Sequence, residues 1–141
     1  MYTLPDKETR KRILEEAETI AVVGLSSNPQ RTSHMIARAM QQAGYRIIPV
    51  NPMLTEPVLG EQPYANLTDV PEQIDIVDVF RRSEYTPEIA KEAAAIKAKV
   101  LWLQQGVYNE EAYKIANDAG LTVIMDQCIK VDHAVLLGNQ A

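Results

Sequence analysis

The chain has 141 residues, of which 46% are hydrophobic and 23% are charged, and this composition predicts a single globular domain over residues 1–141. Its formal net charge of −5 argues against a general nucleic-acid-binding protein, and no apolar run reaches the roughly 20 residues that a membrane span requires. The single cysteine, Cys128, excludes an internal disulfide framework, and the charged N-terminal segment does not resemble a signal peptide, so we expect a cytoplasmic protein.

The chain begins with a predicted helix, strand and helix. Asp6 is placed to cap a helix that reaches about Glu18, and the apolar run 20–23 predicts the first strand. Thr32 or Ser33 is expected to cap the second helix, in which apolar residues recur at helical spacing.

A second strand and a long loop follow. Gly44 is placed to end the second helix, and the strand predicted over 45–50 stops at Asn51, which precedes a proline. The loop-rich section 53–73 is expected to hold one short strand and one short helix. The nearly continuous apolar run 74–80 predicts the next strand.

The last third of the chain continues this alternation. The predicted elements are a helix capped by Thr86 and reaching about Lys97, a strand over 100–103, a helix from Asn109 to Gly120, a strand over 121–125, and a final loop and helix over 126–137.

Strands that are apolar throughout are typical of a parallel sheet buried on both faces. Joined by right-handed helical crossovers, about five such strands predict an α/β fold, a Rossmann-like three-layer α/β/α sandwich with a mainly parallel sheet. Ligands of such folds bind at the carboxyl ends of the strands, where the strand order reverses. Four loops are therefore candidate binding segments: 24–31, 51–52, 80–82 and 104–106.

The first of these loops is typical of a phosphate-binding turn. An apolar strand meets a glycine, and a small polar loop then leads into an amphipathic helix, so that backbone N–H groups are directed at an anion. The loop is not the dinucleotide fingerprint G-x-G-x-x-G, because Gly24, Ser26 and Pro29 occupy the glycine positions.

The other loops favour a ligand with a phosphate on its ribose over NAD. Where NAD enzymes place a carboxylate after the second strand, this chain has the neutral Asn51. Arg31 can meet a phosphate from the first loop, and of Arg81 and Arg82 we expect one to face phosphate and the other solvent.

Each feature also has a purely structural interpretation. Gly24 suits any tight strand-to-helix turn, Ser33 is more simply a helix cap, and Asn51-Pro52 ends a strand. An isolated arginine pair such as Arg81 and Arg82 is more often a solvated loop pair. The functional interpretation depends on the coincidence of all four loops at one edge of the sheet.

No catalytic constellation is evident in the sequence. His34 is expected at the surface or as a cap, and His133 is expected in solvent. Cys128 is more simply a small buried hydrophobe than a nucleophile, although a pairing of Cys128 with His133 stays open. Trp102 lies within a predicted strand and is expected in the core.

Five segments, taken in order, carry a family resemblance. They are Val22-Val23-Gly24-Leu25-Ser26 with Asn28, Pro29 and Arg31; Gly44-Tyr45 with Pro49-Val50-Asn51-Pro52; Val77-Asp78-Val79-Phe80-Arg81; Trp102-Leu103-Gln104-Gln105-Gly106-Val107; and Met125-Asp126 with Cys128. This set resembles the small CoA-binding proteins of bacteria and archaea, which are similar to the CoA-binding N-terminal domain of the succinyl-CoA synthetase α-subunit and of ADP-forming acyl-CoA synthetases.

The resemblance implies a coenzyme A site at the strand ends. It implies that Ser26, Ser27, Asn28 and Arg31 hold the pyrophosphate, that the Asn51-Pro52 and Phe80-Arg81 loops line the nucleotide side, and that Gln105-Gly106 lies near the thiol. With the neighbouring loop residues, the candidate cofactor-binding set is Gly24, Leu25, Ser26, Ser27, Asn28, Arg31, Thr32, Ser33, Val50, Asn51, Pro52, Phe80, Arg81, Arg82, Gln105 and Gly106.

The predicted function is binding of CoA or an acyl-CoA without catalysis, because the synthetase reaction depends on a phosphorylated histidine in a second domain, which this sequence lacks. Two alternatives stay open. One is an NAD(P)- or CoA-thioester-using enzyme with Cys128 as nucleophile. The other is a CoA-responsive regulatory protein that binds a protein partner or a second copy of itself.

Overall fold

The structure, a computed structural model, describes residues 1–138 as five α-helices around one five-stranded sheet. The elements are α1 (Lys7–Glu16), β1 (Thr19–Val23), α2 (Thr32–Gln42), β2 (Arg46–Val50), β3 (Ile76–Val79), α3 (Thr86–Ala95), β4 (Val100–Leu103), α4 (Glu110–Asp118), β5 (Thr122–Ile124) and α5 (Ile129–Leu136). The end of the predicted domain, 139–141, lies outside the described residues.

The sheet has the strand order β2-β1-β3-β4-β5, and every neighbouring pair is parallel. The predicted Rossmann-like α/β sandwich is therefore confirmed. After β2 the chain crosses back over β1 to form β3, so the order of strands reverses between β1 and β3. This reversal point is where doubly wound folds bind their ligands.

Both faces of the sheet are covered by apolar helices. On one face α3 and α4 pack against alternate strand residues such as Val23, Val79 and Leu103. On the other face α1, α2 and α5 cover the intervening residues, with the fully buried Trp102 among them. Burial on both faces explains why the strands are continuous apolar runs. Because helices cover both faces, a ligand has access to the sheet only at the ends of the strands.

Several locally encoded boundaries are confirmed. The Asp6 carboxylate caps α1 by accepting from the Thr9 N–H at 2.9 Å, and Asn109 caps α4 in the same way. Gly44 follows α2 with a φ of +110°, which suits a helix-ending glycine. The strand predicted over 100–103 forms with those bounds.

Three expectations were wrong. Neither Thr32 nor Ser33 caps α2, because the cap position falls on Arg31 and the Ser33 hydroxyl is engaged elsewhere. Thr86 is the first residue of α3 rather than its cap, since a 3₁₀ turn over Ser83–Tyr85 runs directly into the helix. The section 53–73 holds the short helical turn Leu67–Asp69 but only isolated bridges instead of a strand.

A buried ion pair joins the two ends of the described chain. The Arg10 Nε donates to an Asp132 carboxylate oxygen at 2.9 Å, and both side chains are about nine-tenths buried. The same guanidinium donates to the Pro5 carbonyl, so the N-terminal segment, α1 and α5 are held together. No helix within residues 1–138 combines the length and the apolar character needed to cross a bilayer.

We expect Arg10→Met to lower the free energy of unfolding by about 3–5 kcal/mol, because it leaves the buried Asp132 carboxylate without its partner. The double variant Arg10→Met/Asp132→Leu should recover most of this loss, since it removes both charges. Urea denaturation of the three proteins measures both effects. A single variant that loses less than about 1 kcal/mol would show that the pair is not buried in solution.

Candidate functional site

The exits of β1, β2 and β3 meet at the carboxyl edge of the sheet. The Gly24 N–H donates to the Val50 carbonyl at 2.8 Å, and the Phe80 N–H donates to the Val23 carbonyl at 2.9 Å. Three of the four loops nominated by the sequence are thereby brought together at the reversal point. The fourth, 104–106, leaves the next strand, β4, at the same edge.

Gly24 is required by two separate constraints. Its φ is +88°, in the region that residues with a side chain rarely adopt. A Cβ atom built there would lie 2.6 Å from the Phe80 carbonyl oxygen, which belongs to the backbone and has no freedom to withdraw. The close approach lets the chain turn sharply from β1 into the polar loop.

The loop between β1 and α2 is held by its own side chains. The Ser33 hydroxyl oxygen accepts from the Ser26 N–H at 3.0 Å, and the Ser26 hydroxyl oxygen accepts from the Asn28 N–H at 3.0 Å. The Asn28 side-chain oxygen accepts from the Gln30 N–H at 3.0 Å. Because each serine hydroxyl is engaged as an acceptor, its own hydrogen is left to donate to a ligand oxygen.

The N-terminus of α2 opens onto a cleft of about 380 Å³. Within the described residues no side chain caps this helix, so its first N–H groups lack an intrahelical or capping acceptor. These groups, the helix dipole and the exposed Arg31 make the cleft favourable for an anion. The residues that line it are Gly24, Ser26, Arg31, Thr32, Ser33 and Phe80.

The Asn51 side chain ties two of the loops together. Its Nδ2 donates to the Leu25 carbonyl at 3.0 Å, and its Oδ1 accepts from the Met53 N–H at 2.9 Å. Both the nitrogen and the oxygen of the amide therefore form hydrogen bonds within the protein. The residue fixes the shape of the site, and it leaves the end of β2 without a negative charge.

The two neighbouring arginines take different environments. Arg81 is half-buried beside Gly24, and its guanidinium carbon lies 5.0 Å from the centre of the Tyr85 ring, which is a cation–π contact. Arg82 is exposed and precedes the 3₁₀ turn. Arg81 is thus held at the reversal point, whereas Arg82 lies in solvent.

The remaining predicted residues differ in what they can offer. The side chains of Leu25 and Val50 are buried in the core, so only their backbone atoms belong to the edge. Thr32 is exposed and lines the cleft, and Ser27, Asn28 and Pro52 are exposed in the loops after β1 and β2. Gln105 and Gly106 are exposed at the end of β4.

The expectation that His34 lies at the surface or caps the helix was wrong. The imidazole is buried, and its Nδ1 donates to the Ser26 carbonyl at 2.8 Å. It therefore braces the same loop that the Ser33 hydroxyl supports. The partner lies eight residues earlier in the chain, and neither composition nor helical spacing signals that contact.

A buried carboxyl group lies beneath the edge. Asp78 of β3 is fully buried, and the Gln104 amide donates to one of its oxygens. Burial raises the pKa of Asp78 to about 7, and the bond from Gln104 opposes part of that rise. This pair links β3 to the start of the loop after β4, and sequence analysis did not identify it.

Cys128 and His133 are not brought together. Cys128 occupies the cap position of α5 and lines a pocket at the ends of β4 and β5. His133 instead packs edge-on against the Tyr45 ring. It borders a depression near Thr19 and Arg46, which lie at the amino ends of β1 and β2. His133 is half-buried there, which corrects the expectation of a solvated residue.

Comparison with known proteins decides the family. The sequence pattern of the CoA binding domain family matches residues 18–134, which include every strand and the whole carboxyl edge. The chain belongs to this CoA-binding domain family.

Two proteins of known sequence and one of known structure are similar to this chain. YneT of Bacillus subtilis, a protein of uncharacterised function, is 54% identical over 131 residues, covering 93% of this chain and 96% of YneT. The ADP-forming acetate–CoA ligase II of Archaeoglobus fulgidus is 27% identical over 80% of this chain but only 16% of the ligase. A solved structure of a hypothetical protein from Pyrococcus horikoshii is 36% identical, with a TM-score of 0.91 over 98% of this chain and 99% of that one.

We expect Gly24→Ala to destabilise this CoA-binding domain by about 2–4 kcal/mol, from the positive φ and the clash with the Phe80 carbonyl. Gly44→Ala is the matched control, because Gly44 also has a positive φ but nothing lies within 4 Å of its added Cβ. Its cost should be only about 1 kcal/mol. Equal losses for the two variants in urea denaturation would contradict the proposed close approach.

We expect Asp78→Asn to gain stability relative to the wild type as the pH rises. The raised pKa means that native Asp78 retains a proton that the unfolded chain loses. The contribution of Asp78 to the free energy of unfolding therefore falls as the pH rises from about 4 to about 7. The difference in the free energy of unfolding between variant and wild type should grow by about 1–3 kcal/mol from about pH 5 to about pH 8. The exposed Asp118→Asn serves as control, and a difference independent of pH would contradict the assignment.

Proposed function

We propose that this chain binds coenzyme A or an acyl-CoA at the carboxyl ends of its strands and that residues 1–141 act as one binding domain without catalysis. The observation that carries the proposal is the uncapped N-terminus of α2, which opens onto a cleft beside Arg31 in a member of the CoA-binding domain family. An anion of the size of a pyrophosphate suits both the N–H groups and the guanidinium.

The pyrophosphate is assigned to the cleft between Gly24 and α2. Ser26 contributes a hydroxyl hydrogen, and Ser27, Asn28 and Thr32 are exposed at the rim. Arg31 supplies the full positive charge, which a helix terminus alone lacks. A neutral ligand would form no ion pair with this guanidinium, so its charge favours a phosphorylated ligand.

The nucleotide is assigned to the side of β2 and β3. Asn51 leaves no carboxylate there to repel a phosphate on the ribose, and Arg81 stands nearby at the reversal point. Phe80 lines the cleft and is only partly buried, so we assign its side chain to the base or ribose. Pro52 and Arg82 are exposed at the outer limits of this region.

Binding without turnover is favoured by the separation of the reactive side chains. Within the described residues, Cys128 lies at the carboxyl ends of the strands and His133 lies near their amino ends, so His133 is not placed to act as a base for Cys128. The matched part of the Archaeoglobus ligase is only 16% of that enzyme, so we do not attribute the ligase activity to this chain.

Calorimetric titration with CoA, acetyl-CoA, NAD and NADP tests the proposal. We expect micromolar affinity for the two CoA species and a loss of roughly tenfold in Arg31→Ala, because a charge-assisted contact to phosphate is removed. Arg38→Ala, which removes an exposed arginine of α2 that does not line the cleft, should bind like the wild type.

Other outcomes would contradict CoA binding. Tighter binding of NAD or NADP would point to a dinucleotide site, and binding of none of the four would favour the regulatory protein that acts through a partner. Turnover of acetyl-CoA that depends on Cys128 would replace the binding function by a thioester-using enzyme.

A further inference from the structure

A second pocket lies at the same edge of the sheet, beyond the exit of β3. Its volume is about 230 Å³, and it is formed where β4 and β5 end and α5 begins. The lining residues are Gln105, Asp126, Gln127, Cys128, Val131 and Asp132. None of them lines the cleft at α2, so the pocket is a separate compartment.

The distance between the two compartments matches the length of the pantetheine arm of coenzyme A. Three strand spacings separate β1 from β5, or about 14 Å. The pantetheine arm is a chain of about thirteen atoms and spans roughly 15 Å at the rise per atom of an extended peptide. A ligand whose pyrophosphate lies at α2 and whose nucleotide lies towards β2 can therefore reach this pocket with its sulfur, an argument that rests on the proposed function.

The pocket carries an uncompensated negative charge. The Asp132 carboxylate is buried and paired with Arg10, whereas the Asp126 side chain is exposed at the pocket. Among the described residues that line the pocket, none is lysine or arginine. The N-terminus of α5 contributes about half a positive charge, which is less than the full charge of Asp126.

The Asp126 carboxylate is fixed in place by the backbone. Asp126 has a φ of +59°, its Oδ1 accepts from the Gly106 N–H at 2.7 Å, and its own N–H donates to the Val107 carbonyl at 3.1 Å. The side chain therefore cannot turn away from an acyl group without losing its bond to the loop after β4.

We propose that Asp126 determines the acyl specificity of the site, so that it takes free CoA or a CoA thioester of a short uncharged acid and disfavours acyl groups that carry a carboxylate. A second negative charge near Asp126 is repelled through a solvent-exposed pocket. Val131 is the one aliphatic side chain in the lining, so a long hydrocarbon chain gains little by entering.

Titration with four ligands tests this specificity. Acetyl-CoA and butyryl-CoA should bind about as tightly as CoA. Succinyl-CoA, which resembles butyryl-CoA in length but ends in a carboxylate, should bind roughly three- to tenfold more weakly at low salt. The ratio of the succinyl to the butyryl dissociation constant should shrink when salt is added.

The variant Asp126→Asn removes the charge and keeps the geometry. An asparagine oxygen still accepts from the Gly106 N–H, and asparagine tolerates a positive φ. We expect the ratio to fall below about two in this variant, while the thermal midpoint stays that of the wild type. Glu111→Gln, which removes an exposed charge on α4, should keep the wild-type ratio.

The results separate this inference from the function on which it rests. Equal binding of succinyl-CoA and butyryl-CoA by the wild type, or a ratio unchanged in Asp126→Asn, would overturn the specificity while leaving CoA binding in place. Failure of every CoA species to bind would overturn both.

Discussion

The close approach of the Gly24 backbone to the Phe80 carbonyl sets the geometry on which the rest of the site depends. It places the exits of β1 and β3 in contact at the reversal point and turns the chain into the polar loop. The start of α2 is then directed at the edge of the sheet rather than away from it. A side chain at this position would push the two strands apart and displace the helix terminus.

A set of side-chain hydrogen bonds carries that geometry outward across the sheet. Asn51 ties the exit of β2 to the Leu25 carbonyl, Gln104 ties the end of β4 to Asp78 of β3, and Asp126 ties the exit of β5 to Gly106. Each bond joins neighbouring strands at their carboxyl ends. The edge is therefore one connected structure, although its parts come from five separate segments of the chain.

The sequence predicted the features that depend on local chemistry. A continuous apolar run defined β4, and Asp6 and Asn109 capped their helices because the acceptor and the N–H lie three residues apart. The strand ends also predicted which loops would share an edge, since parallel strands must end on the same side. The assignment of individual residues to a ligand stays a prediction.

The features that sequence analysis missed depend on partners distant along the chain. Ser33 does not cap α2, because its hydroxyl oxygen accepts from the Ser26 N–H. His34 is held in a buried position by the hydrogen bond from its ring to the Ser26 carbonyl. Asp78 pairs with Gln104 from another strand, a contact that requires the completed sheet. No periodicity of charge or hydropathy encodes these contacts.

The bonds within the β1–α2 loop have a consequence for the thermodynamics of association. Ser26, Asn28, Ser33 and His34 already hold the loop in one conformation before any ligand arrives. A preorganised receptor loses little conformational entropy when it is occupied, so more of the contact energy is retained as affinity. In the proposed CoA complex, this rigidity would favour binding of the phosphate groups by a short loop that contains a single arginine.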